Sequence, residues 1–322
     1  MKVLVTGATG FVGSHLVEAL RRRDAEVTAL VRSPGKAAGL SGLGVRLVAG
    51  DLHDRAALED ATRGQAIVIH VAGLVAARGE TEFLRANRDG TANLLDAASL
   101  AGVGRFVLVS SMAAGGPSAL GRPLTGIEPP RPVTAYGRSK LAAEEIVRAG
   151  RVPWTILRPP IVYGPRDREI LKVFRLARLG LGPVFGTGTQ ELSAVHGADL
   201  AGALVASATS PQAAGRLYYA CHPEMFTSAA FVRAVGDALG RRVAIVRIPA
   251  RIGAVALAGT GAVAGLTGRA TILTADKANE FFQPAWTGDP GSLMAETGWT
   301  PVFDLERGLA DTYRWYRSAG WL

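Results

Sequence analysis

Apolar residues in the first half of the chain gather into short unbroken runs at 2–6, 26–31, 44–49, 66–71, 105–110 and 154–158. Runs of this length without polar alternation fit strands buried on both faces. Between them, apolar positions recur at helical spacing over 13–22, 55–62, 81–101 and 134–149, which predicts amphipathic helices. Strand and helix therefore alternate, and the expected fold class is α/β, a doubly wound parallel sheet with helices on both faces. Ligands of such sheets sit beyond the carboxyl ends of the strands, so the chemistry should follow each run.

The first run leads into Thr6-Gly7-Ala-Thr9-Gly10-Phe11-Val12-Gly13. Gly7 permits a sharp turn out of the strand, Gly10 lets a pyrophosphate approach the backbone, and Gly13 lets helix and strand pack closely. The helix start offers free N–H groups and partial positive charge to phosphates. A tight turn alone also uses glycines, but this position between strand and helix favours a bound dinucleotide.

The later strand ends refine the cofactor. A carboxylate after the second strand would bind the ribose 2′-hydroxyl of NAD. This chain instead has Arg32, Ser33 and Lys36, which suit a 2′-phosphate and so favour NADP over NAD, the other reading being a solvated basic loop. Asp51-Leu52 follows the third strand, near the expected adenine, and Val71-Ala72-Gly73 follows the fourth, where the cofactor must pass closely.

Tyr136-Gly-Arg-Ser-Lys140 opens the helix that begins after Thr134. Residues four apart share a helical face, so the spacing places an ammonium beside a phenol. A neighbouring positive charge lowers a phenol pKa from its usual value of about 10 toward the range of proton transfer. Ser111, after the fifth strand, can hydrogen-bond the same substrate oxygen. Tyr and Lys at helical spacing are also common on surfaces.

Thr6 to Gly13, Asp51-Leu52, Ser110-Ser111 and Tyr136-x-x-x-Lys140 together resemble the extended short-chain dehydrogenase/reductase superfamily, the NAD-dependent epimerase/dehydratase family, over essentially the whole chain. The resemblance implies a Rossmann fold with a smaller substrate lobe. It also implies catalytic roles: Tyr136 exchanges the proton, Lys140 binds the nicotinamide ribose and lowers the Tyr136 pKa, and Ser111 orients the carbonyl. Asn87 matches a family position near the active site, and Arg158-Pro159-Pro160-Ile-Val162 matches the segment running past the nicotinamide, with Pro159 and Val162 as cofactor contacts.

Departures narrow the function. Sugar-nucleotide dehydratases place an Asp-Glu pair after the catalytic Ser or Thr, whereas this chain has Met112-Ala113. Epimerases usually carry an Arg for the diphosphate where Leu192 stands, which argues against a charged nucleotide sugar. The pattern is most similar to dihydroflavonol reductases and 3β-hydroxysteroid dehydrogenase-like members. The expected activity is an NADP-dependent carbonyl reductase, hence an oxidoreductase on CH–OH/C=O. A nucleotide-sugar epimerase with bound NAD(P) and a non-catalytic NADP-sensing protein are the alternatives.

Composition bounds the partners. Residues 1–165 should form the cofactor-binding unit, with 193–220 returning to it, and 166–322 mainly the substrate lobe. The net charge of +9 comes from 36 Lys and Arg scattered among 27 Asp and Glu; without interleaved aromatics it suits an anionic cofactor rather than nucleic acid. Lys172, Arg175 and Arg178 read as a solvated basic face. The five histidines are far apart, giving no metal motif, and Cys221 reads as a buried hydrophobe. Ile252 to Gly268 is uncharged and reads as a buried lid helix rather than a membrane contact, suiting an apolar substrate. Gly115 to Pro132 reads as a loop bordering the active site. With no signal segment before the first strand, the expectation is a cytoplasmic enzyme acting on a small apolar carbonyl or alcohol, with a homodimer as an option.

Overall fold

The chain is described here by a computed structural model covering residues 1–266, 271–272 and 274–322, with the side chains of Lys36, Ala38 and 261–266 outside the description. The six apolar runs fold as β1 (Lys2–Thr6), β2 (Glu26–Val31), β3 (Arg46–Ala49), β4 (Ile67–His70), β5 (Arg105–Val109) and β6 (Trp154–Arg158). A seventh strand, β7 (Arg216–Tyr219), joins the far edge, and the order is β7-β6-β5-β4-β1-β2-β3 with every pair parallel. Strand order reverses between β1 and β4, where Leu4 faces Thr28 on one side and Val68 on the other. That reversal opens a crevice at the carboxyl ends of β1 and β4.

Successive strand residues point to opposite faces. Val3 and Val5 enter one apolar core with α1 (Phe11–Arg21), and Leu4 enters the other with α2 (Arg55–Thr62) and α3 (Gly90–Leu100). The second core is closed by Ala143 and Val147 of α4 (Ala135–Ala149). The helical pattern over 81–101 is broken in the structure, running as α-helix Glu80–Phe83, a π-helical turn Leu84–Asp89, then α3.

After β6 the chain builds α5 (Glu169–Arg178), α6 (Gly197–Thr209), α7 (Ser228–Ala238), α8 (Ala250–Leu266) and α9 (Leu305–Ser318). Helix α6 returns to the first core, where Leu200 and Leu204 pack with Leu16 and Leu20 of α1. A third core joins Phe174 of α5, Val235 of α7 and Tyr316 of α9. Lys172, Arg175 and Arg178 are exposed on α5. Helix α8 departs from the expectation of burial: only Gly253 and Leu257 are buried among its described side chains, whereas Ile252 is 62% and Val255 74% exposed. Small residues along the helix leave a narrow inward face that two positions fill. Among the described residues, no helix is long and apolar enough to cross a membrane.

Candidate active site at the sheet switch point

The glycine loop closes β1 onto α1. Gly7 has φ 71°, and a Cβ there would lie 2.7 Å from the Ala72 amide; a Cβ on Gly13 would lie 2.0 Å from the Gly7 carbonyl oxygen. Gly10 caps α1 with no side-chain bond to the first helical amides, Thr9 and Gly10 are exposed, and Phe11 and Val12 are half-buried. Open backbone donors at a helix start form a cradle for a pyrophosphate, so this crevice fits a dinucleotide.

At the end of β2, Arg32 and Ser33 are exposed, and Arg32 has no hydrogen-bond or ionic partner among the described residues. The Lys36 side chain lies outside the description. Asp51 is exposed and accepts the His53 amide at 2.7 Å, whereas Leu52 packs against Gly90. Val71 and Ala72 are half-buried and Gly73 is exposed beside Asn87 and Lys140.

Asn87 sits on the π-turn, buried. Its Oδ1 accepts the Leu74 amide at 2.8 Å, and its Nδ2 donates to the Leu74 carbonyl at 3.1 Å and to Ser139 Oγ at 2.9 Å. Both amide ends are thus engaged with protein, and Asn87 fixes the 71–74 loop against α4. Beneath it runs a polar chain missed by sequence reasoning. Thr91 Oγ1 donates to the Asn87 carbonyl at 2.5 Å and so accepts from His70 Nε2 at 3.0 Å. His70 Nδ1 then accepts from Thr6 Oγ1 at 2.6 Å, whose oxygen accepts the Ala72 amide at 3.2 Å. This network assigns one neutral tautomer with every polar atom satisfied. Burial, then the Lys140 charge, push the His70 pKa down to about 3.

Ser111 caps the short helix Met112–Gly115, its Oγ accepting the Ala113 amide at 3.2 Å, and lies near enough to the Tyr136 phenol to favour its ionised form. Tyr136 is half-buried on the first turn of α4, with Phe83 5.8 Å away between ring centroids. Lys140 lies one turn on, buried, its Nζ donating to the Val109 carbonyl at 2.6 Å. Burial lowers its pKa to about 8, against the attraction of Glu144. The expected lowering of the Tyr136 pKa is not what this geometry produces. Burial pushes it up to about 12, the nearby Ser111 hydroxyl pulls it down, and Glu280 adds to the rise. The ammonium is directed at Val109, so desolvation dominates.

Glu280 comes from the far end of the chain, where no sequence spacing could place it. Its carboxylate accepts from Thr134 Oγ1 at 2.7 Å and pairs with Lys277, while Asp276 accepts the Ala135 amide at 2.8 Å. Two acids thus meet the positive end of the helix that carries Tyr136. Gln190 donates to the carbonyl of Gln283 at 2.7 Å, holding the segment 276–284 as a strap across this end of α4. Beside the strap lies a cavity of about 220 Å³ lined by Leu120, Phe185, Gln190, Phe281, Phe282 and Pro284.

Behind Ser111, Arg158 and Glu144 form a buried two-pronged ion pair, at 2.8 and 2.7 Å, that also receives Ser110 Oγ at 2.5 Å. Arg158 donates to the Tyr219 hydroxyl at 3.2 Å. Pro159 is buried, its carbonyl accepting the Met112 amide, and Val162 pairs with Val195. Leu192 is buried in a two-residue strand paired with Phe226 and Trp286. Cys221 is buried, as expected, and donates to the Gly288 carbonyl.

Residues 3–221 match the model of the NAD-dependent epimerase/dehydratase family. The chain is 35% identical over 321 residues to a ceramide reductase of Caulobacter vibrioides, covering 99% of this chain and 96% of the relative. It is 36% identical over 180 residues, 53% of each chain, to a 4-hydroxy-2-methyl-3-oxo-4-farnesyl-3,4-dihydroquinoline-1-oxide ketoreductase of Stigmatella aurantiaca. Among solved structures it resembles MoeE5 in complex with UDP-glucuronic acid and NAD, with a TM-score of 0.80 and 28% identity over 99% of this chain and all of that one. Relatives thus include reductases and proteins holding nucleotide sugars, and they support an enzyme of nicotinamide-dependent oxidoreduction. On its glycine loop, its sheet and this match, the chain belongs to the NAD-dependent epimerase/dehydratase family, within the extended short-chain dehydrogenase/reductase superfamily.

Proposed function

We propose that the protein is an NADP-dependent reductase of an apolar, lipid-like ketone or aldehyde, acting reversibly on the alcohol. The observation that carries this reading is the gathering of Ser111 and Tyr136 at the sheet switch point, with buried Lys140 one helical turn from the phenol. It is supported by the absence of acids after Ser111, by the ceramide reductase and the farnesylated-quinoline ketoreductase among the relatives, and by the Leu120, Phe185, Phe281 and Phe282 side chains in the uncharged cavity beside the strap.

When bound, the cofactor supplies or accepts the hydride. The amides that open α1 and the loop from Val71 to Gly73 would hold its phosphates and ribose, and Arg32 with Ser33 would receive a 2′-phosphate. Tyr136, kept protonated by burial, gives its phenolic proton to the developing alkoxide, and Ser111 orients that oxygen. Lys140, anchored on Val109 beside Gly73, would supply a positive charge to the nicotinamide ribose.

Nucleotide-sugar epimerisation is the second reading, favoured by the likeness to MoeE5. Against it, buried Leu192 offers no cation to a diphosphate, and an unpaired charge is costly to desolvate. Cofactor consumption decides between them. Long-chain ketones should consume NADPH stoichiometrically and NADH poorly, with the preference reversed by Arg32→Asp. Tyr136→Phe should lower turnover by about 10²–10⁴-fold with cofactor affinity little changed. A UDP-sugar epimerised without net cofactor loss, with ketones inert, would overturn the proposal.

A further inference from the structure

Helix α8 leaves an apolar face open, and the surrounding charge indicates what covers it. Between Asp237 and Asp276 the chain carries five arginines and no acid. Four of these, Arg241, Arg242, Arg247 and Arg251, are exposed, and none has a carboxylate partner among the described residues. Arg241 and Arg247 donate only to the carbonyls of Arg178 and Thr187.

Apolar exposure coincides with this charge. Strand Ala244–Ile248 pairs in parallel with Leu181–Phe185, and Val246 and Leu181, 44% and 45% exposed, share the ribbon face that carries Phe185. Gly253 of α8 packs on Phe185 and Phe282, so the helix sits on that same face with Ile252 and Val255 turned outward. At its foot a groove of about 400 Å³ runs between Ala250, Arg251 and Ala254 and the strap residues Ala278, Asn279 and Phe282. The strap is the segment that reaches Tyr136 through Glu280.

We propose that the outer face of α8, with Arg241, Arg242 and Arg251, docks on an anionic lipid bilayer. The arginines meet the headgroups while Ile252 and Val255 enter the acyl boundary. The groove then opens at the membrane surface, where a lipid-like carbonyl substrate resides. That last step rests on the function proposed above; docking itself does not, and the test therefore reads binding rather than turnover.

The full chain is floated with vesicles of phosphatidylcholine alone and of equal parts phosphatidylcholine and phosphatidylglycerol. Binding is expected to the anionic vesicles only, weakening at high salt. Arg242→Glu with Arg251→Glu should reduce it roughly tenfold or more, and Ile252→Asp with Val255→Asp should abolish it, both variants keeping the parent melting temperature and cofactor affinity. Failure to float with anionic vesicles, or undiminished binding by both variants, would overturn the proposal. So would sedimentation showing a dimer that Val255→Asp dissociates, since a second copy would then cover the face.

Discussion

Burial and the Glu280 charge hold Tyr136 protonated, which is the state the proposed proton donor requires. The carboxylate does not touch the phenol in the hydrogen-bond network; it acts through Thr134, which caps α4, and through its charge. Glu280→Gln preserves an acceptor for Thr134 and removes the charge. The Tyr136 pKa then falls, and the alkaline rise of alcohol oxidation should move to lower pH in a rate profile. The loss of the Lys277 ion pair should cost on the order of 1 kcal/mol in urea unfolding. An unmoved profile would show that Glu280 serves only the fold. Spacing alone puts Tyr136 and Lys140 on one helical face, and it took the family resemblance to join Ser111 to them. Glu280 was not, because its contact spans 146 positions to Thr134 and nothing local marks it.

Elements legible in the sequence are those whose burial is uniform. Six of the seven strands of the main sheet carry enough buried apolar side chains for a run to mark them, whereas the edge strand Arg216–Tyr219, begun by an exposed arginine, went unmarked. The lobe strands, such as Glu191–Leu192 and Ala285–Trp286, are two residues long and pair through backbone alone, leaving no periodicity to read. The π-turn escaped for another reason: one extra residue per turn hardly disturbs a helical pattern. Helix α8 misled because uncharged composition was equated with burial. Within the glycine loop the two helix-side glycines should separate by experiment. A Cβ at Gly13 meets the Gly7 backbone at 2.0 Å, whereas one at Gly10 meets only the Gly7 oxygen at 3.2 Å. Gly13→Ala should therefore lose about 1–3 kcal/mol of stability together with cofactor binding. Gly10→Ala should stay within about 0.5 kcal/mol while binding cofactor more weakly, as calorimetry of both variants would check.

At the scale of the whole molecule, three buried histidines fold in the neutral state. His70 is pushed down to about 3, His196 to about 4, and His15 is also lowered, all chiefly by burial. An unfolded chain takes up protons on these rings as pH falls below about 6.5, while the folded chain does not, so stability declines from there downward. Asp167, raised by burial to about 6, and Asp199, also raised, act oppositely, gaining stability as pH falls through the same region. The histidines prevail, and urea unfolding should give a free energy about 3 kcal/mol lower at pH 5 than at pH 7.5. His70→Asn should be less stable at pH 7.5 yet show a shallower slope. An unchanged slope would mean that His70 is not neutral in the fold.

The buried Arg158–Glu144 pair limits how this protein can drift. Loss of Glu144 strands the Arg158 charge inside the molecule, at about 3–5 kcal/mol, and loss of Arg158 leaves Glu144 with only the half-exposed Arg148 at 3.4 Å, whereas joint replacement by apolar residues of similar volume is close to neutral. Tyr219 and Gly115 are tied to the same corner, since a Cβ on Gly115 would lie 2.2 Å from the Tyr219 hydroxyl. Single substitutions here meet a barrier that a concerted exchange avoids, so this corner, lying directly behind Ser111, is expected to change along a lineage as a block or to stay still.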